Sequence, residues 1–178
     1  MKVQLLVSAI GEDHPGIVAR LTEIFCQHGA NLEESRMALL GGEFAAVVLI
    51  SVPEENIVAL NSALAKLKNE SITVSTKATQ SIGPEKYRGY VPCQLTISGA
   101  DHEGIVRTVA SYLRDNFINI QSMESSIIHA PITGTPLFCM SAIVQVPPAV
   151  PLSELKKSLW AIADKESVEI EIRLAAVS

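Results

Sequence analysis

Two short stretches of this chain bring together residue types that can hold a small charged molecule. The first is Gly11-Glu12-Asp13-His14-Pro15-Gly16-Ile17-Val18. The second is Gly99-Ala100-Asp101-His102-Glu103-Gly104-Ile105-Val106, displaced by 88 positions (101 minus 13). In both, an apolar strand-like run leads in and an amphipathic helical pattern leads out. The first N–H groups of a helix have no partner within it, and together with the helix dipole they attract a carboxylate. Asp13 or Asp101 can accept a hydrogen bond from an ammonium group, and Gly16 or Gly104 leaves room for a ligand beside the backbone. Asn31 or Asn119, where the next strand begins, adds an amide that both donates and accepts. Such groups suit a zwitterion such as a free amino acid. A structural reading competes with this one. In it Asp13 and Asp101 cap their helices, and Gly16 and Gly104 let helix pack on sheet.

The elements that must position these residues follow from periodicity. Val3, Leu5, Val7 and Ala9 form one apolar face of a strand, and Gly11 is read as the point where the chain bends out of it. Pro15 suits the first helical position, where a missing N–H costs nothing. Ile17, Leu21, Ile24 and Phe25 then recur at helical spacing to about Gln27, and Gly29 stops the helix. Asn31–Leu40 and Phe44–Val52 read as strands joined by a Gly41-Gly42 hairpin. A helix with the stripe Ile57, Leu60, Leu64 and Leu67 follows, then a strand through Ile72, Val74 and Thr76.

The same order restarts at Val91, with a longer hairpin around His129-Ala130-Pro131-Ile132-Thr133-Gly134. The expected architecture is therefore α+β: two ferredoxin-like βαββαβ sandwiches, each an antiparallel sheet with both helices on one face. The expected domains are residues 1–78 and 91–178, with a linker at 79–90 that carries Gly83-Pro84.

Composition narrows the function. The net charge of −5 argues against general attraction to nucleic acid, and no apolar run is long enough to span a bilayer. Met1-Lys2-Val3-Gln4 lacks the layout of a signal peptide, so a cytoplasmic protein is expected. Cys26, Cys93 and Cys139 are scattered and read as buried thiols, and neither a metal nor another cofactor is expected. Trp160 reads as a core-edge residue, with an interface anchor as the alternative.

With these residues in view, Asp13-His14-Pro15-Gly16-Ile17-Val18, the helix end Phe25-Cys26-Gln27-His28-Gly29 and Ala30-Asn31-Leu32 resemble the ACT domain. Asp101 to Val106, with Ile118-Asn119-Ile120, resembles a second copy. Two such domains without an attached enzyme resemble the glycine cleavage system transcriptional repressor group. The resemblance implies a non-enzymatic regulatory protein that binds a small amino acid and acts through a partner protein such as a transcription regulator. It also implies domains set side by side with ligands at the seam, and a possible homodimer. By it, Asp13, His14, Gly16, Ile17, Asn31 and Leu32 would line one site, and Asp101, His102, Gly104, Ile105, Asn119 and Ile120 the other. Glu103 stands where the first copy has Pro15, which adds negative charge beside a ligand carboxylate, so the two sites differ and the first copy is the expected ligand site.

Two other classes share the topology. Tandem RNA-recognition motifs need exposed aromatics on the central strands, and only Phe44 is available on the third strand. A small ferredoxin-like enzyme would need a catalytic constellation, and no P-loop, G-x-S-x-G or H-E-x-x-H motif is present.

Overall fold

The computed structural model describes residues 1–79, 84–130 and 134–175. The chain divides into two compact units, Met1–Ile82 and Gly83–Ser178. The first contains β1 (Lys2–Glu12), α1 (Ile17–Gln27), β2 (Asn31–Leu40), β3 (Glu43–Pro53), α2 (Ile57–Ala65) and β4 (Ile72–Thr79), with sheet order β2-β3-β1-β4. The second contains β5 (Val91–Ala100), α3 (Ile105–Asp115), β6 (Asn119–His129), β7 (Pro136–Val146), α4 (Leu152–Glu166) and β8 (Val168–Leu174), with order β6-β7-β5-β8. All strand pairs are antiparallel, so each unit is the expected βαββαβ sandwich.

Alternation builds each core. In the first unit Leu5, Val7 and Ala9 of β1 and Val48, Ile50 and Val52 of β3 are buried against Leu21 and Ile24 of α1 and Leu60 and Leu64 of α2. Both helices therefore cover one face of the sheet. Cys93, Leu95 and Ile97 of β5 play the same part in the second unit, beneath Val109 and Leu113 of α3 and Leu155 and Leu159 of α4. Each such aliphatic side chain contributes roughly 1.5–3 kcal/mol on burial. Among the described residues no polar or charged side chain is buried.

Several expectations need correction. Gly11 is not a bend, because β1 continues through it, paired with Phe44 on one side and Ile72 on the other. It is glycine because β4 passes too close: a β-carbon there would stand 2.3 Å from the Ser71 carbonyl oxygen. Gly99 has the same role, with Val168 Cγ1 at 2.7 Å and its Cα at 3.0 Å. Pro15 lies in the turn before α1 rather than in the helix. Cys93 is buried, but Cys26 is exposed and Cys139 half-buried, because strand and helix alternation turns them outward. Trp160 is 75% exposed and belongs to no core edge. Of the expected linker, Thr79 closes β4, Pro84–Tyr87 forms a short 3-10 turn, and 80–83 lie outside the described residues. The longer second hairpin follows His129, and its residues 131–133 also lie outside them.

Alanine at Gly11 has to displace backbone, whereas at Gly99 part of the obstacle is a side chain that can turn. Gly11→Ala is expected to cost about 1–3 kcal/mol in urea unfolding, and Gly99→Ala less. An unchanged midpoint for Gly11→Ala would contradict the close approach.

Candidate ligand-binding site

Gly16 is the N-cap of α1 with φ 103°, and Gly104 is the N-cap of α3 with φ 101°, a left-handed conformation that favours glycine. A β-carbon added at either would meet nothing within 4 Å, so neither glycine serves helix-on-sheet packing. No side chain caps either helix, which removes the capping role from Asp13 and Asp101. The first intrahelical bond of α3 runs from Thr108 N–H to the Gly104 carbonyl at 2.9 Å. The N–H groups of Ile105, Val106 and Arg107 are thus left without helical acceptors.

The second turn is tied to the end of α4. Thr108 Oγ1 donates to Glu166 Oε1 at 3.0 Å. His102 faces two carbonyl oxygens, Glu166 O from Nε2 at 2.7 Å and Glu103 O from Nδ1 at 3.1 Å. Carbonyls only accept, so both bonds require the doubly protonated ring. The Glu166 carbonyl, then that of Glu103, raises the His102 pKa above its ordinary 6.5, with Glu166 and Asp101 adding charge attraction. In the first unit the matching link is an exposed ion pair, Arg20 Nε to Glu70 Oε1 at 3.4 Å. His14 makes only a 3.2 Å contact with the carbonyl of Pro15.

Beside the second turn opens a cavity of about 480 Å³. Asp101, His102, Gly104 and the Ile105 backbone line one side, Arg107 of α3 another, Ser125, Ser126 and Ile127 of β6 a third, and Phe138 with Val106 adds apolar wall. A carboxylate, two cationic groups, two hydroxyls and a free helix N-terminus thus meet over an apolar wall. That arrangement can hold a molecule bearing an ammonium, a carboxylate and a small apolar group. Glu103 is not among the lining residues. At the corresponding points of the first unit stand Ala19, Met37 and Ala38 in place of Arg107, Ser125 and Ser126.

The structure separates residues that the sequence grouped. Asn31 is opposite Ser51, which is opposite Gln4 near the start of β1, whereas Asp13 follows the end of β1. The eight residue-to-residue steps of strand from Gln4 to Glu12 span about 26 Å. Within one unit, then, Asn31 does not face Asp13, nor Asn119 Asp101. Asn31 instead donates to Glu33 Oε1 at 3.2 Å, beside the 2.6 Å bond from Ser51 Oγ, where β2 bulges between Leu32 and Glu34. Those two donors, Ser51 first, lower the Glu33 pKa. Leu32 and Ile120 also stand at this far end, at the matching bulges of β2 and β6. Ile17 and Ile105 point into the cores and offer the turn only their backbone. Arg107, Ser125, Ser126 and Phe138 were not singled out from the sequence; the one signal was that three of them break the internal repeat.

Phe44 and Phe138 are both buried, so neither is available to stack on a base. Among the described residues no cluster of His, Cys, Asp or Glu forms a metal site, and no helix is long and apolar enough to cross a membrane.

Comparison with known proteins bears on this geometry. The ACT domain family matches residues 3–77, almost all of the first unit. The first unit belongs to the ACT domain family. It is 40% identical over 60 residues to the glycine cleavage system transcriptional repressor of Escherichia coli, across 34% of this chain and 32% of the repressor. The match therefore spans about a third of that relative's length. The crystal structure of a protein of unknown function from Galdieria sulphuraria is similar along 99% of this chain and 100% of its own, at 30% identity and a TM-score of 0.82. A protein assigned as a glycine cleavage system transcriptional repressor shares the fold over 99% of both chains, at 20% identity and a TM-score of 0.72. The latter extends the tandem ACT-type fold to the second unit.

The protonated His102 ring stabilises this second ACT-type unit. Since its pKa is raised on folding, that contribution is fully present below 6.5 and is lost as pH rises through the raised value. A pH titration followed by NMR should show the His102 ring titrating above 6.5, with Glu166→Gln lowering the value only partly because the carbonyl remains. A ring titrating at or below 6.5 would contradict the two-carbonyl geometry.

Proposed function

We propose that this ACT domain protein is a non-enzymatic regulator that binds a small amino acid at the turn of its second unit. The bound state then alters its contact with a partner protein, a transcription regulator of glycine cleavage by analogy with the Escherichia coli relative. The cavity beside Asp101, His102 and Arg107 is the observation that carries the reading. In it the ligand carboxylate faces the free N–H groups of α3 and Arg107, its ammonium faces Asp101, and a small side chain rests on Ile127 and Phe138. The first turn, with Asp13, His14 and Gly16, takes the same ligand class less tightly, since Ala19 supplies no cation. Asn31 and Asn119 stay outside both pockets. The three free cysteines suit a reducing cytoplasm.

Calorimetry with each of the twenty amino acids tests this directly. A small amino acid should bind, and Asp101→Asn and Arg107→Ala should each weaken it about 10-fold or more, since one charge-assisted hydrogen bond contributes roughly 1.5–3 kcal/mol. Asn119→Ala should leave binding unchanged. If no amino acid binds, or if binding survives both substitutions at the cavity, the reading fails. A specific complex of the purified protein with DNA would overturn action through a partner.

A further inference from the structure

Trp160 has no role in the core or in the candidate site, yet it stands 75% exposed in the middle of α4. A groove runs past it along β8. One stretch, a cavity of about 390 Å³, lies between Lys156, Lys157 and Trp160 and the strand residues Ile170 to Arg173. On the other side of the same indole a cavity of about 370 Å³ is lined by Asp164, Val168 and Glu169. β8 is the end strand of its sheet, so one row of its backbone N–H and C=O groups has no strand partner within the unit.

The charges along this edge are ordered. Lys156, Lys157 and Arg173 stand at one end, Asp164 and Glu169 at the other, with Trp160 and Glu171 between. A two-fold axis through the middle exchanges the two ends and makes the surface complementary to itself. We propose that this α4–β8 edge of the second unit is a two-fold interface with a second copy of this chain, β8 pairing antiparallel with β8. Centred on Glu171, the pairing sets Glu169 opposite Arg173 of the other copy, twice, and Ile170 opposite Ile172. Directly opposed residues in antiparallel strands share a face, so the ion pairs meet on the outer face, where Glu169 and Arg173 are both exposed. Arg173 donates to Gln94 Oε1 of β5 at 2.9 and 3.2 Å, a neutral acceptor for which a carboxylate of the other copy is the stronger replacement. On the helix side Asp164 meets the lysines of the other copy, and the two Trp160 rings close the centre. Glu171 meets its own copy at the axis, the one like-charge contact.

The first unit is the control. It has the same fold, but its corresponding positions are Asn61, Ser62, Ala65 and Asn69 on the helix side and Thr73, Ser75 and Lys77 on the edge strand, so of the ordered charges only the one at Arg173 recurs. The fold itself therefore demands neither the indole nor the charge order.

Sedimentation equilibrium of the full chain across a concentration series tests the interface, with circular dichroism confirming that each variant is folded. The wild type should dimerise. Trp160→Ala should weaken the dimer, and Glu169→Arg or Arg173→Glu alone should raise its dissociation constant at least about 10-fold, since like charges are then opposed. The double variant Glu169→Arg/Arg173→Glu should restore it, and Glu171→Gln should tighten it. A monomer at every concentration, a dimer indifferent to both single reversals, or a double variant no better than either single would overturn the proposal.

Discussion

The approach of β4 to Gly11, and of β8 to Gly99, is the constraint on which each unit's functional end depends. With a carbonyl oxygen 2.3 Å from where the Gly11 β-carbon would be, only glycine lets the closing strand pair to the last residues of the opening one. The close approach begins at Ser71, after the 3-10 turn Lys66–Glu70 that prolongs α2, and at Val168, just beyond α4. Ser71 and Ser167 both take left-handed backbone, with φ 61° and 53°, to turn from that helix into the strand. Their neighbours Glu70 and Glu166 are thereby held against the first helix. Glu70 reaches Arg20, and Glu166 reaches Thr108 and His102. The turn is thus fixed from two sides, by strand pairing beneath it and by the helix end beside it.

Because the chain contains this frame twice, each copy shows what the other's fold does not require. The glycines at 11, 16, 99 and 104 recur because backbone geometry demands them. Arg107, Ser125 and Ser126 do not recur, and they sit where the cavity opens. Pro15 and Glu103 differ without consequence for the frame, since both lie in the turn before the helix proper. Glu103 counts against the second unit in the sequence, yet that unit has the better furnished pocket, because Glu103 lies outside its lining.

Element order and core faces were legible because alternation in strands and helical spacing are enforced along the whole of each unit. Val7 and Val48, or Leu21 and Leu60, could each be assigned to the core from neighbours alone. The site was only half legible. Asp101, His102 and Gly104 fall within four residues and could be read together, but Ser125 and Phe138 join them only through the register of β6 on β7 and β7 on β5. Local pattern carries no such register. The exposure of Trp160, by contrast, follows from local geometry: Leu159 beside it faces the core, and a helix turns by about 100° per residue.

Asn31 lies at the opposite end of its own unit from the turn, beside a bulge of β2. It returns at the same point of the second repeat as Asn119, which in sequence looks like half of a binding motif. In the first unit its amide is spent on Glu33, where a bulge leaves one residue of β2 without a partner on β3. Ser51 completes that triangle, and its counterpart Gln145 bonds Gln121 at 2.6 Å across the second bulge. Both copies therefore close the same irregularity with side-chain hydrogen bonds, using different residues. A bulge bends and twists the strand that carries it, and here that strand is the one whose far end, in the second unit, forms a wall of the cavity. Within each unit the asparagine stands at the far end of that strand, about 26 Å from the turn, beside a bulge that the two copies close with different residues.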